Sequence, residues 1–151
     1  MIITFCGHAA FIGSDAHEQN MLSLLEQTAG DRPVKLYLGG YGAFDSFAYR
    51  CGRKYKETHP NVMLVLVTPY LTPRRDQTAG YDTVLYPALE HVPPRFAISH
   101  RNRYMVAEAD YVIAYIDHSW GGAYQTYQYA KRNGKTVFNL AKKCNYTNPN
   151  S

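Results

Sequence analysis

Residues 62–67 read Val-Met-Leu-Val-Leu-Val, six apolar side chains without the polar alternation of a half-exposed strand. A strand that runs apolar on every residue is covered on both faces, as in a sheet sandwiched between helices. Four more short apolar runs follow the same logic: Ile2–Phe5, Val34–Leu38, Tyr111–Ile116 and Val137–Leu140, with a weaker one at Thr83–Tyr86. Between them lie stretches with helical spacing of apolar residues: Glu18–Ala29, Phe44–Thr58, Arg95–Ala109 and Gly121–Asn133. Gly134 closes the last of these in the manner of a left-handed C-cap. This alternation predicts an α/β fold: a Rossmann-like three-layer α/β/α sandwich with a mainly parallel sheet and right-handed crossovers. Thr68–Gly80 fits neither period and predicts a loop over one edge. The expected layout is one domain over 1–141 and a polar, frayed tail over 142–151.

Composition narrows the function classes. Of 151 residues, 46% are hydrophobic and 19% charged, so the chain can build a core. No run approaches the length of a membrane span, and the first residues lack the basic and apolar regions of a secretory leader, so no membrane partner is expected. Three cysteines, Cys6, Cys51 and Cys144, form no CxxC, which suits a reduced, cytoplasmic setting. Net charge is +4 with the positive residues scattered, and no basic arm or helix marks a nucleic-acid surface. Nucleic acid is therefore expected to be an unlikely partner. Fourteen tyrosines are an unusual number, and Tyr124, Tyr127 and Tyr129 on the last helix suit either an interface of a homo-oligomer or core packing.

In a sheet of this kind ligands bind beyond the carboxyl ends of the strands, where strand order switches. Three strand ends carry the relevant residues. After the first comes Cys6-Gly7-His8. After the second comes Gly39-Gly40-Tyr41-Gly42, with Asp45 in the following helical turn. After the fifth comes Asp117-His118-Ser119-Trp120-Gly121-Gly122-Ala123, leading to Thr126. Paired glycines let a backbone approach a ligand closely, and the N–H groups opening a helix can hold a phosphate. The same glycines also suit a plain tight turn with Ser119 as N-cap. Neither cluster matches a Walker A loop or a GxGxxG fingerprint. On the helix over 95–109, Arg101 is placed to clamp a phosphate, whereas Arg103 suits a solvated face.

His8 and His118 each end a strand and are expected to serve as pocket donors, with Asp117 orienting His118 or contacting the ligand. No HxxxH or HExxH pattern accompanies the six histidines, so no metal site is expected, and no cofactor signature occurs. The absence of GxSxG removes support for serine hydrolase chemistry. Trp120 suits either stacking on a base or packing beneath the turn.

The run Phe96–Leu140 resembles the second half of SLOG-superfamily proteins, which include the Lonely Guy phosphoribohydrolases and the DNA-processing DprA proteins. The resemblance lies in an Arg-bearing helix (Arg101 to Met105), a strand (Tyr111 to Ile116) and a Gly-Gly turn leading to a Thr (Gly121-Gly122 to Thr126). Cys6-Gly7-His8 and Gly39-Gly40 fit as well; about 68–94 is not covered. The chain is most similar in character to small stand-alone members from Firmicutes and their phages. The resemblance implies a pocket for a nucleotide or ribose phosphate around Gly121-Gly122.

Lonely Guy enzymes cleave the N-glycosidic bond of nucleoside monophosphates with an Arg matched by Arg101 and a Glu after the Thr. Here the turn is one residue longer, Gln128 stands at the acidic position, and no carboxylate follows Asp117. An amide has neither the charge nor the basicity to assist that cleavage. The expectation is therefore a nucleotide-binding sensor or sequestering protein, with a role in phage defence or nucleotide signalling. The alternative is an N-glycosidase that uses Asp45 or Asp117, with Arg101, as its catalytic residues.

Overall fold

The structure, a computed structural model, describes residues 1–142. Six strands make one sheet: β1 (Ile2–Gly7), β2 (Val34–Leu38), β3 (Val62–Val67), β4 (Thr83–Leu85), β5 (Tyr111–Tyr115) and β6 (Thr136–Asn139). They lie in the order β4-β3-β2-β1-β5-β6, and every pairing is parallel. The Rossmann-like α/β expectation holds, with a wholly parallel sheet. The chain builds outward from β1 to β4 and then returns to start β5 on the other side of β1. The order switches between β1 and β5.

Alternate residues of the central strands serve the two faces. Ile3, Phe5, Leu36, Leu38, Leu64 and Ile113 pack with α1 (Asp15–Thr28) and α2 (Ala43–Thr58) through Met21, Leu24, Leu25, Phe44 and Phe47. On the opposite face, Val112 and Ala114 meet Val106 of α4 (Ala97–Glu108) and Tyr127 and Ala130 of α5 (Gly122–Arg132). Tyr37, Val65 and Val67 meet Met105 of α4 there. Two apolar faces explain why residues 62–67 do not alternate. Tyr127 is buried in this packing, so it is not available to an outer interface.

The differences from expectation have local causes. Helix α1 starts at Asp15 because Ser14 caps it: its Oγ accepts from the His17 N–H at 3.3 Å, and the Ser14 N–H donates to His17 Nδ1 at 3.1 Å. Helix α4 starts at Ala97 because Pro94–Phe96 forms a single 3₁₀ turn ahead of it. Residues 68–80 are irregular apart from one short helix, α3 (Arg75–Thr78). Gly134 does adopt a left-handed φ of 70° after α5. Cys6 and Cys51 are free and buried. Cys144 and the rest of the expected tail from residue 143 lie outside the described residues. Among the described residues no helix is long and apolar enough to cross a membrane.

Candidate functional site

Two clefts open at the carboxyl edge of the sheet and share a wall. The first, about 350 Å³, lies at the β1/β5 switch. It is lined by Gly7 and His8 from the end of β1, by Arg101, Asn102 and Met105 from α4, and by His118, Trp120, Gly121, Gly122, Ala123 and Thr126 around the start of α5. The second, about 450 Å³, lies over the ends of β2 and β3 and includes Gly39 and Gly40. Tyr41, Asp45, Ile98 and Arg101 line both. Most of the residues expected at the site are thus gathered at these two clefts. Ser119 and Asp117 line neither, and Ser119 does not cap α5. That N-cap is Gly121, with no side-chain cap.

The N-terminus of α5 is open. Gly121 has φ 94° and ψ 171°, a region that is essentially reserved to glycine. A Cβ built on Gly121 or Gly122 would meet no atom within 4 Å. The first turn carries no acidic residue, and the Thr126 hydroxyl is turned back to the Gly122 carbonyl at 3.0 Å. Unclaimed N–H groups and the helix dipole therefore face the cleft. The turn itself is held from beneath by Asn139 at the end of β6. Its Oδ1 accepts from the Ile116 N–H (3.0 Å) and its Nδ2 donates to the Ile116 carbonyl (2.9 Å).

His8 and His118 stack with ring centroids 3.5 Å apart and planes 12° from parallel, and Trp120 lies 3.8 Å from His118. His8 Nε2 accepts from the Asp117 N–H at 3.3 Å. Its pKa is lowered, first by burial and next by His118, against an opposing effect of Asp117. The neutral ring is thereby favoured, and Nε2 as acceptor leaves its proton to Nδ1. Asp117 Oδ1 lies 2.7 Å from His118 Nδ1 and 3.4 Å from His8 Nε2. The ligand-type atoms of these three residues all lie within 4.8 Å of one another. However, nearly parallel rings aim their nitrogen lone pairs side by side, so they do not converge on the ~2.0–2.1 Å bonds that a metal needs.

Arg101 is only 2% exposed. Its Nη1 donates to the carbonyls of Gly39 (2.8 Å) and Val67 (2.9 Å), and its Nε donates to Asn102 Oδ1 (2.8 Å). It ties α4 to the ends of β2 and β3 and leaves Nη2 beside Gly39 and Asp45. Burial lowers the pKa of its guanidinium, and Asp45 opposes that shift. Asp45 Oδ2 accepts from the Tyr41 N–H at 2.9 Å. Burial raises its carboxyl to about 6, against the lowering effects of that bond and of Arg101. Gly7 has a packing role, since a Cβ there would lie 2.3 Å from the Phe44 ring.

Ile98, which the helical spacing places on the Arg101 face, was not carried into the expected site, and sequence reasoning missed Asn102, which stands i+4 from Ile98. It also missed Tyr70, Gln77 and Tyr81, which border the second cleft from a stretch with no periodic pattern. Gln128 bonds the Tyr124 hydroxyl and lines neither cleft.

No protein-family model and no curated protein matches the sequence. Solved structures do share its fold. DNA processing protein A from Helicobacter pylori, described for its single-stranded DNA binding mode, superposes with a TM-score of 0.65 at 17% identity, over 96% of this chain and 67% of that one. DNA processing protein A (DprA) from Streptococcus pneumoniae gives 0.64 at 19% identity, over 91% of this chain and 49% of that one. The structural-genomics target TM1055 gives 0.58 at 14% identity, over 90% and 71%.

These likenesses overturn the expectation that nucleic acid is an unlikely partner, because a chain of this fold is described by its binding of single-stranded DNA. Formal charge alone does not exclude such a partner. Open helix N–H groups contact phosphates without adding charge, and exposed rings such as Tyr41 and Trp120 offer stacking surfaces.

Proposed function

We propose that this chain is a SLOG-type domain that binds a nucleotide or nucleotide-derived molecule. The phosphate would lie at the start of α5 and the sugar against His8 and His118. The observation that carries this reading is the uncapped α5 N-terminus. It has no acidic residue in its first turn and no neighbour in front of Gly121 or Gly122, and it opens on a cleft at the strand-order switch. No acidic residue stands on α5, where Gln128 takes the place of the enzymes' Glu, and this favours holding over cutting, so the protein acts as a sensor or a sequestering protein. The likeness to DprA extends the ligand class to nucleotides within a single strand.

A second reading, N-glycosidase, is supported by Asp45. Its carboxyl lines the cleft beside Arg101 with a pKa of about 6, which suits general acid–base work near neutrality. Asp117 supports that reading less, because its carboxylate faces the two histidines and lies outside the lining.

The test is to incubate the protein with a mixed nucleotide panel and a short single-stranded oligonucleotide, ultrafilter, and analyse both fractions by mass spectrometry. One intact nucleotide retained at stoichiometry supports the binding reading. Free base in the filtrate, lost in Asp45→Asn, replaces it with the enzyme reading. Retention of the oligonucleotide alone assigns the site to strands.

A further inference from the structure

We propose that the ligand extends past the first cleft, and that the tyrosine-walled cleft over β2 and β3 receives a second planar, hydrogen-bonding ring, making the ligand dinucleotide in type. This rests on the reading above of a phosphate at the α5 turn.

Each cleft, at about 350 and 450 Å³, falls on its own within the ~300–1,000 Å³ of small-molecule sites. They share Tyr41, Asp45, Ile98 and Arg101 as lining residues, so the second cleft lies across that wall from a molecule seated at the α5 turn. The hydroxyls of Tyr41, Tyr49, Tyr70 and Tyr81 make no hydrogen bond to any described residue, nor does the side-chain nitrogen of Gln77, whose oxygen accepts from the Arg74 N–H at 3.1 Å. Phenol rings with unused hydroxyls offer both a stacking face and an edge partner, which is what a nucleobase requires.

The outer wall belongs to the chain's own irregular segment, residues 68–81, which the SLOG resemblance does not cover. It is fastened at its far end. Arg53 donates to the Gly80 carbonyl at 2.9 Å, and Asp82 accepts from Lys56 at 2.6 Å and from the Leu64 N–H at 2.8 Å. A loop secured there to a helix and a strand presents Tyr81 in a fixed position, which lowers the ordering cost of binding.

The experiment is calorimetric titration of the full chain with AMP, UMP and the corresponding 5′-phosphorylated dinucleotides pApA and pUpU. With stacking on an aromatic ring at its usual strength, a dinucleotide should bind about 5- to 150-fold tighter than its mononucleotide. Tyr70→Ala, at a half-exposed position where folding is not at stake, should remove that gain, while the mononucleotide binds variant and parent alike. Equal affinity for mono- and dinucleotide would overturn the second-ring proposal and leave the phosphate reading standing. A gain that survives Tyr70→Ala would also overturn it. Failure of all four probes to bind would remove the phosphate reading and the proposal with it.

Discussion

The turns before α2 and α5 share one backbone solution and use it differently. Gly42 has φ 89° and ψ 171°, and Gly121 has φ 94° and ψ 171°; each opens a helix without a side-chain cap. Before α2 the space is filled. The Ala43 N–H donates to the Ala9 carbonyl at 3.1 Å, Phe44 is wholly buried against Gly7, and Asp45 bonds back to the Tyr41 N–H. Before α5 nothing fills it. The same local geometry thus serves packing at one strand end and is left free at the other. That open space, more than the glycines themselves, carries the proposal of a ligand site there.

The contrast can be broken most severely at its packed side. Phe44→Ala leaves a void beneath β1 and should cost about 3–5 kcal/mol in denaturant unfolding. A smaller loss would mean that the α2 turn is not the structural one. Gly42→Ala should follow at about 2–3 kcal/mol, because its Cβ would sit 3.0 Å from Ala9 Cα in a backbone region reserved to glycine. Gly121→Ala carries the backbone strain without the contact and should cost about 1 kcal/mol; equal losses at the two positions would erase the distinction.

Asp45→Asn tests the carboxylate that occupies the α2 turn. The folded-state pKa of Asp45, about 6, lies above its ordinary 3.8, so its favourable contribution is fully present below pH 3.8 and is lost as pH rises through 6. Relative to the parent, the variant should therefore gain about 1–2 kcal/mol between pH 4 and pH 7, after allowing for solvent screening. A difference that does not change across that window argues against a raised pKa. The smallest effect on stability belongs to Gly122→Val, whose side chain would enter empty space: the thermal midpoint should shift by no more than a few degrees. Binding of any phosphate-bearing ligand should nevertheless disappear in calorimetry, and retained affinity would place the phosphate elsewhere.

Much of the fold was legible because burial on two faces writes itself into consecutive residues. The bounds of β2 and β3 agree with the apolar runs Val34–Leu38 and Val62–Val67. The start of α1 was not, since its cap depends on a Ser-His pair rather than on apolar spacing. At the site, the glycine turns and Arg101 stand out in sequence. The partners of Arg101 do not: Gly39 and Val67 lie 62 and 34 residues away, and their carbonyls carry no sequence signal. The second cleft was illegible for a related reason. Its wall, residues 68–81, has no period, and its position is set by single bonds from Arg53, Lys56 and Leu64.

The guanidinium of Arg101 has a consequence for solvent access to the backbone. By fastening α4 to the ends of β2 and β3 at once, it prevents those ends from opening separately. Amide hydrogens near the ends of β2 and β3 should then exchange with deuterated solvent only through global unfolding, on the slowest timescale of the molecule. Those of residues 118–122, whose N–H groups find no acceptor among the described residues, should exchange orders of magnitude sooner and slow down when a ligand is seated.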